Sequence, residues 1–198
     1  MSVVELGKAT ERDEAEAYRL AQMEDYLRIG ASYEEARLMA FGANGESPDA
    51  MIDAIKNGNR RYFKLETQGA ITAIACLADW LYADSEPYES PLGAKATKAK
   101  HLLHRMVGYE PTHDSHLPVF GVSAHGTMEV EGSQLLDHMI HEASHKRSKN
   151  LYVVADMQDE SFVESFRQKG ADLVPNSRRS VEVNGVARDY ELLKRELQ

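Results

Sequence analysis

Two short stretches carry side chains that could move a proton near neutral pH. His113, Asp114, Ser115 and His116 stand just before an apolar segment. Histidine titrates close to neutrality, so His116 is a candidate general base. Asp79 interrupts the apolar run "CLADWLY" and is a second candidate. The simpler alternative for both residues is a solvated polar group at the end of a strand.

The segment "GTMEVEGSQLLDHMIHEA", residues 126–143, reads as a turn that leads into a helix. Backbone N–H groups and the helix dipole attract phosphate at such a helix start. Glu129 and Glu131 oppose a phosphate there, because an unscreened carboxylate about 6 Å away repels it by roughly 1 to 3 kcal/mol. Val130 stands where a glycine would let a phosphate approach bare backbone. Anion binding therefore requires both carboxylates to point to solvent.

Two further groups of side chains have a chemical and a structural explanation. Trp80, Tyr82 and Tyr88 could form the wall of a substrate pocket, although packing at the rim of the core is as good an explanation. The histidines at 138, 141 and 145 share one helical face, as metal ligands can. That face lies opposite the apolar face of the same helix, so we expect solvated histidines and no metal site.

Composition excludes several classes of function. The 198 residues carry a net charge of -9, which opposes nonspecific attraction to nucleic acid or to an anionic membrane and suits a neutral or cationic partner. Cys76 is the only cysteine, and its apolar surroundings predict a buried thiol in a reducing compartment. No apolar stretch approaches the roughly 20 residues of a membrane span, and the start lacks a secretion signal. We expect a cytoplasmic protein.

The first third of the chain reads as a strand followed by three helices. Residues 3–8 could form the strand, and Thr10 with Asp13 predicts a capped helix that runs to about Leu27. Ser32 and Glu35 have the spacing of a capping box, and Ser47 with Pro48 predicts the start of a third helix.

Strands and helices alternate in the remainder. Gln68 and Gly69 separate two strand-like runs and predict a hairpin. Residues 85–115 read as a long excursion with a helix over 97–107. A strand over 117–124, a helix over 132–146, a strand over 150–157 and a helix over 159–169 follow, and a hairpin turns at Asn184 and Gly185. This order predicts one α/β or α+β domain, residues 1–198, with a mixed sheet.

Residues 117–172 resemble the general N-acetyltransferase (GNAT) superfamily in their order of strand, loop, "GSQLLDHMIHEA", buried strand and "FVESFRQKGADLV". In element order the resemblance extends over nearly the whole chain. It implies a mostly antiparallel central sheet that is flanked by helices and splayed between strands four and five. In that family the backbone of the fourth strand pairs with pantetheine, and the following turn binds the pyrophosphate of CoA.

The family's pyrophosphate motif falls on residues 127–132, where only the last glycine, Gly132, is retained. Thr127 and Val130 depart from the motif, which predicts a turn of another shape. Phe166 aligns with a tyrosine that protonates the leaving thiolate in many members, and a phenyl ring cannot donate a proton. The acid could lie elsewhere, or transfer could be slow.

The resemblance implies a CoA-dependent N-acyltransferase that moves an acetyl group from acetyl-CoA to the amine of a small molecule in a ternary complex. His116 and Asp79 would be the catalytic candidates, with the backbone of Gly121 or Val122 as oxyanion donor, and Trp80, Tyr82 and Tyr88 would contact the substrate. The cofactor-binding candidates are Phe120, Gly121, Val122, Thr127, Val130, Gly132 and Ser133. The alternatives are a GNAT fold that has lost acetyl transfer, as a pseudoenzyme or an enzyme of other chemistry in specialised metabolism, and an acetyltransferase of proteins. A homodimer would also be compatible with the family.

Overall fold

The computed structural model describes residues 1–41, 48–58, 60–78, 114–183 and 186–197. The strands are β1 Ser2–Glu5, β2 Arg60–Thr67, β3 Ala70–Ala78, β4 Asp114–Val122, β5 Asn150–Asp156, β6 Asp172–Leu173, β7 Arg179–Val183 and β8 Val186–Glu196. The helices are α1 Arg12–Arg28, α2 Tyr33–Phe41, α3 Pro48–Lys56, α4 Ser133–His145 and α5 Glu160–Gln168, and a π-helical turn, Met128–Gly132, precedes α4. The predicted helix over 97–107 lies outside the described residues.

The strands form one sheet in the order β1-β2-β3-β4-β5-β8-β6, and β7 pairs with β8 beside β6. Every described pair is antiparallel except β4 with β5, which is parallel. The expected α/β fold with a mixed, mostly antiparallel sheet is therefore confirmed.

Local signals explain most of the element boundaries. Gln68 and Gly69 both have positive φ, 54° and 82°, which is the backbone of a two-residue hairpin turn between β2 and β3. The backbone N–H of Ser32 donates to Glu35 Oε2 at 2.8 Å, and the Ser32 hydroxyl accepts from the Glu35 N–H at 3.3 Å. The predicted capping box at the start of α2 is thus confirmed.

The start of α1 differs from the prediction. The N-cap is Glu11, and its side chain makes no capping hydrogen bond. The Thr10 hydroxyl instead donates to the carbonyl of Gly7 at 2.6 Å, so it stabilises the turn before the helix. Threonine side chains bond to nearby backbone in several geometries, and here the local turn competes successfully with the cap.

Helices cover both faces of the sheet and enclose two apolar cores. On one face, α4 and α5 pack Leu135, Leu136 and Phe166 against the sheet. On the other face, α1 and α3 bury Tyr18 and Met51. Alternate residues of each strand point into opposite cores, so β4 contributes side chains to both.

A bulge and a divergence distinguish β4 from the other central strands. Leu117 and Pro118 lie opposite the single residue Leu77 of β3, and proline is tolerated at such a bulge because it has no N–H to donate. The pairing of β4 with β5 covers Asp114 to His116 only, and His116 with Tyr152 is its last pair. Beyond that point, the two parallel strands separate and leave a gap.

Candidate functional site

The gap between β4 and β5 exposes a backbone edge of β4 that no strand covers. The N–H of Ser123 donates to the carbonyl of Thr72 at 3.1 Å, across from β3. Hydrogen-bonding groups alternate in direction along an antiparallel pair, so Gly121 also faces β3. Phe120 and Val122, in contrast, direct their N–H and C=O groups into the gap. Of the two predicted oxyanion donors, Gly121 and Val122, only Val122 points its N–H into the gap.

Asp25 of α1 occupies this edge at Val122. Its Oδ1 accepts the Val122 N–H at 2.9 Å, and Asp25 is only 5% exposed. Gly121 makes the approach possible, because a Cβ at this position would lie 2.5 Å from Cγ and from Oδ2 of Asp25. The carboxylate therefore rests directly on the strand, in the space that a side chain would otherwise fill.

Arg28, one turn further along α1, connects Asp25 to the other side of the gap. Its Nη2 donates to Asp25 Oδ1 at 2.8 Å and to Asp159 Oδ2 at 3.1 Å. Asp159 is the N-cap of α5, where its Oδ1 accepts the N–H of Phe162 at 3.2 Å. The chain Asp25–Arg28–Asp159 thus spans from the edge of β4 to the segment that follows β5.

Burial gives Asp25 an unusual titration. Desolvation raises the pKa of Asp25 to about 6, and the nearby charge of Asp159 adds to the rise. The hydrogen bond from Val122 and the charge of Arg28 act in the opposite direction but do not cancel it. The carboxyl group of Asp25 therefore gains or loses its proton within about one pH unit of pH 7.

The turn after β4 has a helical backbone and lacks the positive φ angles that glycine favours. Thr127 is the N-cap of the π-helical turn Met128–Gly132, and its hydroxyl accepts the N–H of Val130 at 3.3 Å. None of the described residues with positive φ belongs to this turn. Val130 accordingly adopts an ordinary helical backbone without strain, and its side chain is 51% exposed. That the turn differs in shape from the family's pyrophosphate turn stays a prediction.

The two glutamates of the turn behave differently. Glu129 is exposed to solvent, as anion binding would require. Glu131 folds back, and its Oε2 accepts the backbone N–H of Thr127 at 2.9 Å. With the Thr127 hydroxyl capping Val130, this is a reciprocal capping box that the π-helical turn has lengthened by one residue. Glu131 therefore uses an amide that an anion would otherwise bind.

A third side-chain carboxylate accepts a backbone N–H that lies between those of Val122 and Thr127. Glu24 Oε2, next to Asp25 on α1, accepts the N–H of Ala124 at 3.1 Å. The amides of Val122, Ala124 and Thr127 thus each donate to a side-chain carboxylate of the same chain. This row of amides is hereafter called the acidic-capped edge.

The remaining predicted cofactor residues lie in β4, at the end of the π-helical turn and at the start of α4. Gly132 is buried, and a Cβ there would lie 2.5 Å from Met128 Sδ, so close packing accounts for this glycine. Ser133 is the first residue of α4. Phe120 packs against Phe162 of α5 with ring centroids 5.0 Å apart, and Phe162 stacks on Phe166 at 5.9 Å. Phe166 is fully buried in this aromatic row and offers no proton donor.

Among the predicted catalytic and substrate residues, only His116 lies in the described part of the chain. It is buried and forms the last pair of β4 with β5, at the apex of the gap. Ser115 faces the end of α4, where its hydroxyl lies 2.6 Å from that of Ser148, so His116 points to the opposite, α1 face. Asp79, Trp80, Tyr82 and Tyr88 lie outside the described residues.

The histidines of α4 form a surface group. His141 and His145 are exposed and their rings lie 4.0 Å apart, whereas His138 is half-buried against Phe63, with centroids 5.6 Å apart. The side chain of His138 is still 34% exposed, so it combines contact with solvent, as expected, with packing on Phe63. Within the described residues, no three histidine, cysteine, aspartate or glutamate side chains are arranged to hold a metal.

None of the described helices is both long and apolar enough to traverse a bilayer. A concavity of about 660 Å³ is lined by Tyr152, Asp172 and Lys194, among others, and involves neither β4 nor the π-helical turn. Lys194 there already pairs with Glu196 at 2.9 Å. This concavity is thus separate from the acidic-capped edge.

Sequence reasoning did not identify Asp25, Glu24, Arg28 or Asp159. One signal was available in α1, where Arg19, Gln22, Asp25 and Arg28 recur every three residues and place a polar stripe on a helix that must pack against the sheet. Three of them, Arg19, Gln22 and Asp25, are buried. A buried polar stripe of this kind indicates specific backbone or ionic partners, because unpaired polar groups are costly to bury.

Comparison with known proteins identifies the fold. No protein-family model and no curated protein matches the sequence. Solved structures do match over the full chain: a ribosomal-protein-alanine N-acetyltransferase from Brucella melitensis has 14% identity and a TM-score of 0.65, with 100% of both chains covered. An N-acetyltransferase from Staphylococcus aureus Mu50 has 13% identity and a TM-score of 0.63, again with 100% of both chains covered. A proposed acetyltransferase from Salmonella typhimurium, solved with its cofactor acetyl-CoA, has 13% identity and a TM-score of 0.64, covering 100% of this chain and 95% of its own.

Proposed function

We propose that this chain, which has the GNAT fold, is a CoA-dependent N-acyltransferase that transfers an acetyl group from acetyl-CoA to the amine of a small molecule. The observation that carries the proposal is the divergence of β4 from β5 after His116. It leaves the N–H and C=O groups of Phe120 and Val122 directed into a gap that leads to the start of α4. An extended chain with amide groups, such as pantetheine, can pair with an edge of this kind.

The donor side of the proposed site follows the acidic-capped edge. Pantetheine would pair with Phe120 and Val122, and the pyrophosphate would lie by Thr127, Gly132 and Ser133, near the first backbone N–H groups of the helical segment. The N–H groups of Gly132 and Ser133 already donate to carbonyls of the π-helical turn and its N-cap, so an anion would bind the N–H groups of the first residues of that turn, which lack intrahelical acceptors. The helix dipole also favours negative charge there. The exposed side chain of Val130 leaves this backbone accessible. The carboxylates of Asp25, Glu24 and Glu131 must give up their amides for such a ligand.

The chemistry would be direct aminolysis. The amine nitrogen attacks the thioester carbonyl carbon, the C–N bond forms, the C–S bond breaks, and the thiolate leaves with the electron pair. A backbone N–H in the gap stabilises the oxygen as its negative charge grows. His116, at the apex of the gap, and Asp79 are the candidates for taking the amine proton. Phe166 cannot protonate the thiolate, so the leaving group departs as the anion, which CoA tolerates because a thiolate is a fair leaving group.

The acidic surroundings favour an amine as the acceptor. The net charge of the chain is -9, and Asp156 and Asp159 lie where β5 ends and α5 begins, beside the gap. Asp156 pairs with Arg188 at 2.8 Å, and Asp159 shares Arg28 with Asp25, so three carboxylates here are paired with two arginines and the region keeps a surplus of negative charge. A protonated amine would be attracted to it before it loses a proton.

Calorimetric titration with acetyl-CoA, followed by incubation with a panel of small amines and mass spectrometry, tests the proposal. We expect saturable binding in the micromolar range. At least one amine should gain about 42 Da, because an acetyl group replaces a hydrogen on its nitrogen. The double variant Glu129→Gln/Glu131→Gln should bind more tightly, since two charges that repel phosphate are removed. Absence of binding by both proteins would contradict the proposal.

One observation favours a second candidate, a GNAT fold that has lost acetyl transfer. Three amides of the acidic-capped edge are already satisfied by carboxylates, and the aromatic row replaces the family's proton donor with Phe166. Tight binding of acetyl-CoA without acetylated product from any amine would support this alternative. Turnover of even one amine, lost in His116→Ala, would reject it.

A further inference from the structure

We propose that Asp25 is an internal competitor of the acyl donor: it holds the Val122 amide in the free protein and must leave that amide before pantetheine can pair with β4. The inference rests on the proposed function, since it concerns the same backbone edge. It adds a regulatory step to that edge, in which a side chain of α1 controls access to the strand.

The geometry makes Asp25 a close imitation of a ligand. Oδ1 accepts the Val122 N–H at 2.9 Å, as a pantetheine carbonyl would, and Gly121 allows the carboxylate to lie against bare backbone. Asp25 is 5% exposed, whereas Glu24 and Glu131 are only half-buried. Of the three carboxylates on the acidic-capped edge, Asp25 is therefore the one that solvent cannot readily replace.

Arg28 gives the displaced carboxylate a second resting position. At present both Nε and Nη2 of Arg28 donate to the same oxygen, Oδ1, at 3.2 and 2.8 Å. Oδ2 has no hydrogen-bond partner among the residues that the structure describes. A rotation of the carboxylate would offer one oxygen to each N–H of the guanidinium fork, which is the preferred bidentate arrangement, and would release Val122. The rotation keeps both hydrogen bonds from Arg28 and gives up only the one from Val122, so the buried charge stays paired.

The charge of Asp25 couples this exchange to pH. Among the described residues, the charged groups that face Asp25 are Arg28 on its own helix and Asp159 at the start of α5, while β4 presents only backbone to it. Loss of the Val122 hydrogen bond removes an interaction that favours the charged form, so the pKa of Asp25 must rise above about 6 when the donor binds. Donor binding then takes up a proton, and affinity increases as the pH falls from about 8 toward 6.

The test is calorimetric titration of the full chain with CoA at pH 6 and pH 8, in the wild type and in Asp25→Asn. The asparagine keeps the size of the side chain and removes its charge. We expect Asp25→Asn to bind CoA roughly tenfold more tightly at pH 8, because a charge-assisted hydrogen bond no longer competes. The ratio should fall to about two at pH 6, where about half of the free wild-type protein carries a protonated Asp25. The phosphates of CoA also titrate near pH 6, and using the ratio of the two proteins cancels their contribution.

Asp159→Asn is the matched control. It removes the other carboxylate of Arg28, retains a good N-cap for α5, and leaves the contact between Asp25 and Val122 in place. Its CoA affinity should still increase as the pH falls, but over a lower pH range, because the charge that raises the pKa of Asp25 is gone. Amide hydrogen exchange gives a readout without any ligand: the Val122 N–H should exchange faster in Asp25→Ala than in the wild type, while Leu151 in β5 should not change.

The outcomes separate the two proposals. If CoA binds the wild type and the ratio between wild type and Asp25→Asn is the same at both pH values, the competitor role of Asp25 is overturned and the acyltransferase stands. If no variant binds CoA at either pH, both proposals fail, since opening the edge should then have exposed a site. If the Val122 amide exchanges at the same rate in Asp25→Ala as in the wild type, Asp25 does not protect that amide, and the competitor role is overturned.

Discussion

The two halves of β4 satisfy their backbone in different ways. In the first half, Asp114 to His116 pair with β5, and His116 also pairs with Ala78 of β3. In the second half, the side toward β5 has no strand, and Asp25 supplies the acceptor for Val122. Both halves obey the rule that buried amides are hydrogen-bonded, but one uses backbone as the partner and the other uses side chains.

The difference has a functional consequence. A neighbouring strand contributes several cooperative hydrogen bonds and cannot leave without unfolding of the sheet, whereas a carboxylate on a side chain can rotate away by itself. The first half of β4 is thus a fixed part of the scaffold. The second half presents amides whose partners a ligand can exchange.

The largest effect is expected from a truncation beside the fixed half. Leu151 of β5 lies opposite Ser115 and is fully buried. Leu151→Ala should lower the free energy of unfolding by about 3 kcal/mol, because it removes a core side chain and leaves a cavity between the sheet and the helices that cover it. Urea unfolding followed by far-UV circular dichroism measures this loss.

Leu173→Ala provides the control, because Leu173 is 36% exposed in the two-residue strand β6. It should lose less than about 1 kcal/mol, since most of its surface already contacts water. Equal losses in the two variants would contradict the description of the first half of β4 as a fixed scaffold.

A smaller effect is expected at the exchangeable half. Gly121→Ala places a Cβ within 2.5 Å of Asp25 Cγ, so the carboxylate must withdraw from Val122. We expect a loss of about 2 kcal/mol in the free energy of unfolding, from overpacking and from the lost hydrogen bond, since the aspartate can partly relieve the clash by rotating. Thermal unfolding and the exchange rate of the Val122 amide are the measurements.

Gly7→Ala is the matched control, because nothing lies within 4 Å of a Cβ at that position. It should leave stability within about 0.5 kcal/mol of the wild type. If Gly121→Ala is equally silent and Val122 remains protected, then Asp25 is not held against the strand as described.

Local sequence signals predicted the elements well where a short stretch determines its own backbone. The capping box of Ser32 and Glu35 and the hairpin turn at Gln68 and Gly69 involve residues at most three apart, and both are present. Asp159 and Gly170 likewise delimit α5, and Gly170 has a φ of 86°, the left-handed backbone typical after a helix end. In such cases the preferred local geometry and the global fold agree.

The candidate site was only partly predictable because its decisive contacts are distant in sequence. Asp25 and Val122 are 97 positions apart. The resemblance to a family located the edge of β4 and the turn, but it gave no indication that a carboxylate from α1 would rest there. A polar residue on a packed helix can be recognised from periodicity, whereas its partner is set by how helix and sheet are oriented.

In the turn after β4, prediction from sequence fails even for residues that are close together in the chain. A capping box places the acidic residue three positions after the N-cap, and for Thr127 that position is Val130. The π-helical turn adds one residue, so that Glu131 reaches the Thr127 N–H instead. Glu129 and Glu131 are identical in type and two positions apart, and only the extra residue in the turn decides which one folds back.

The smallest effect on the free energy of unfolding is expected from replacing each of these two glutamates by alanine. Glu131→Ala should lower the free energy of unfolding by about 1 kcal/mol, because it removes the acceptor of the Thr127 N–H and a negative charge at the positive end of a helix. Glu129→Ala should stay within about 0.5 kcal/mol of the wild type, since Glu129 is exposed and alanine favours a helix. Parallel urea titrations of the two variants measure the difference. Equal losses would mean that the carboxylate of Glu131 does not cap the turn, and the Thr127 amide would then be available to a phosphate without any exchange of partners.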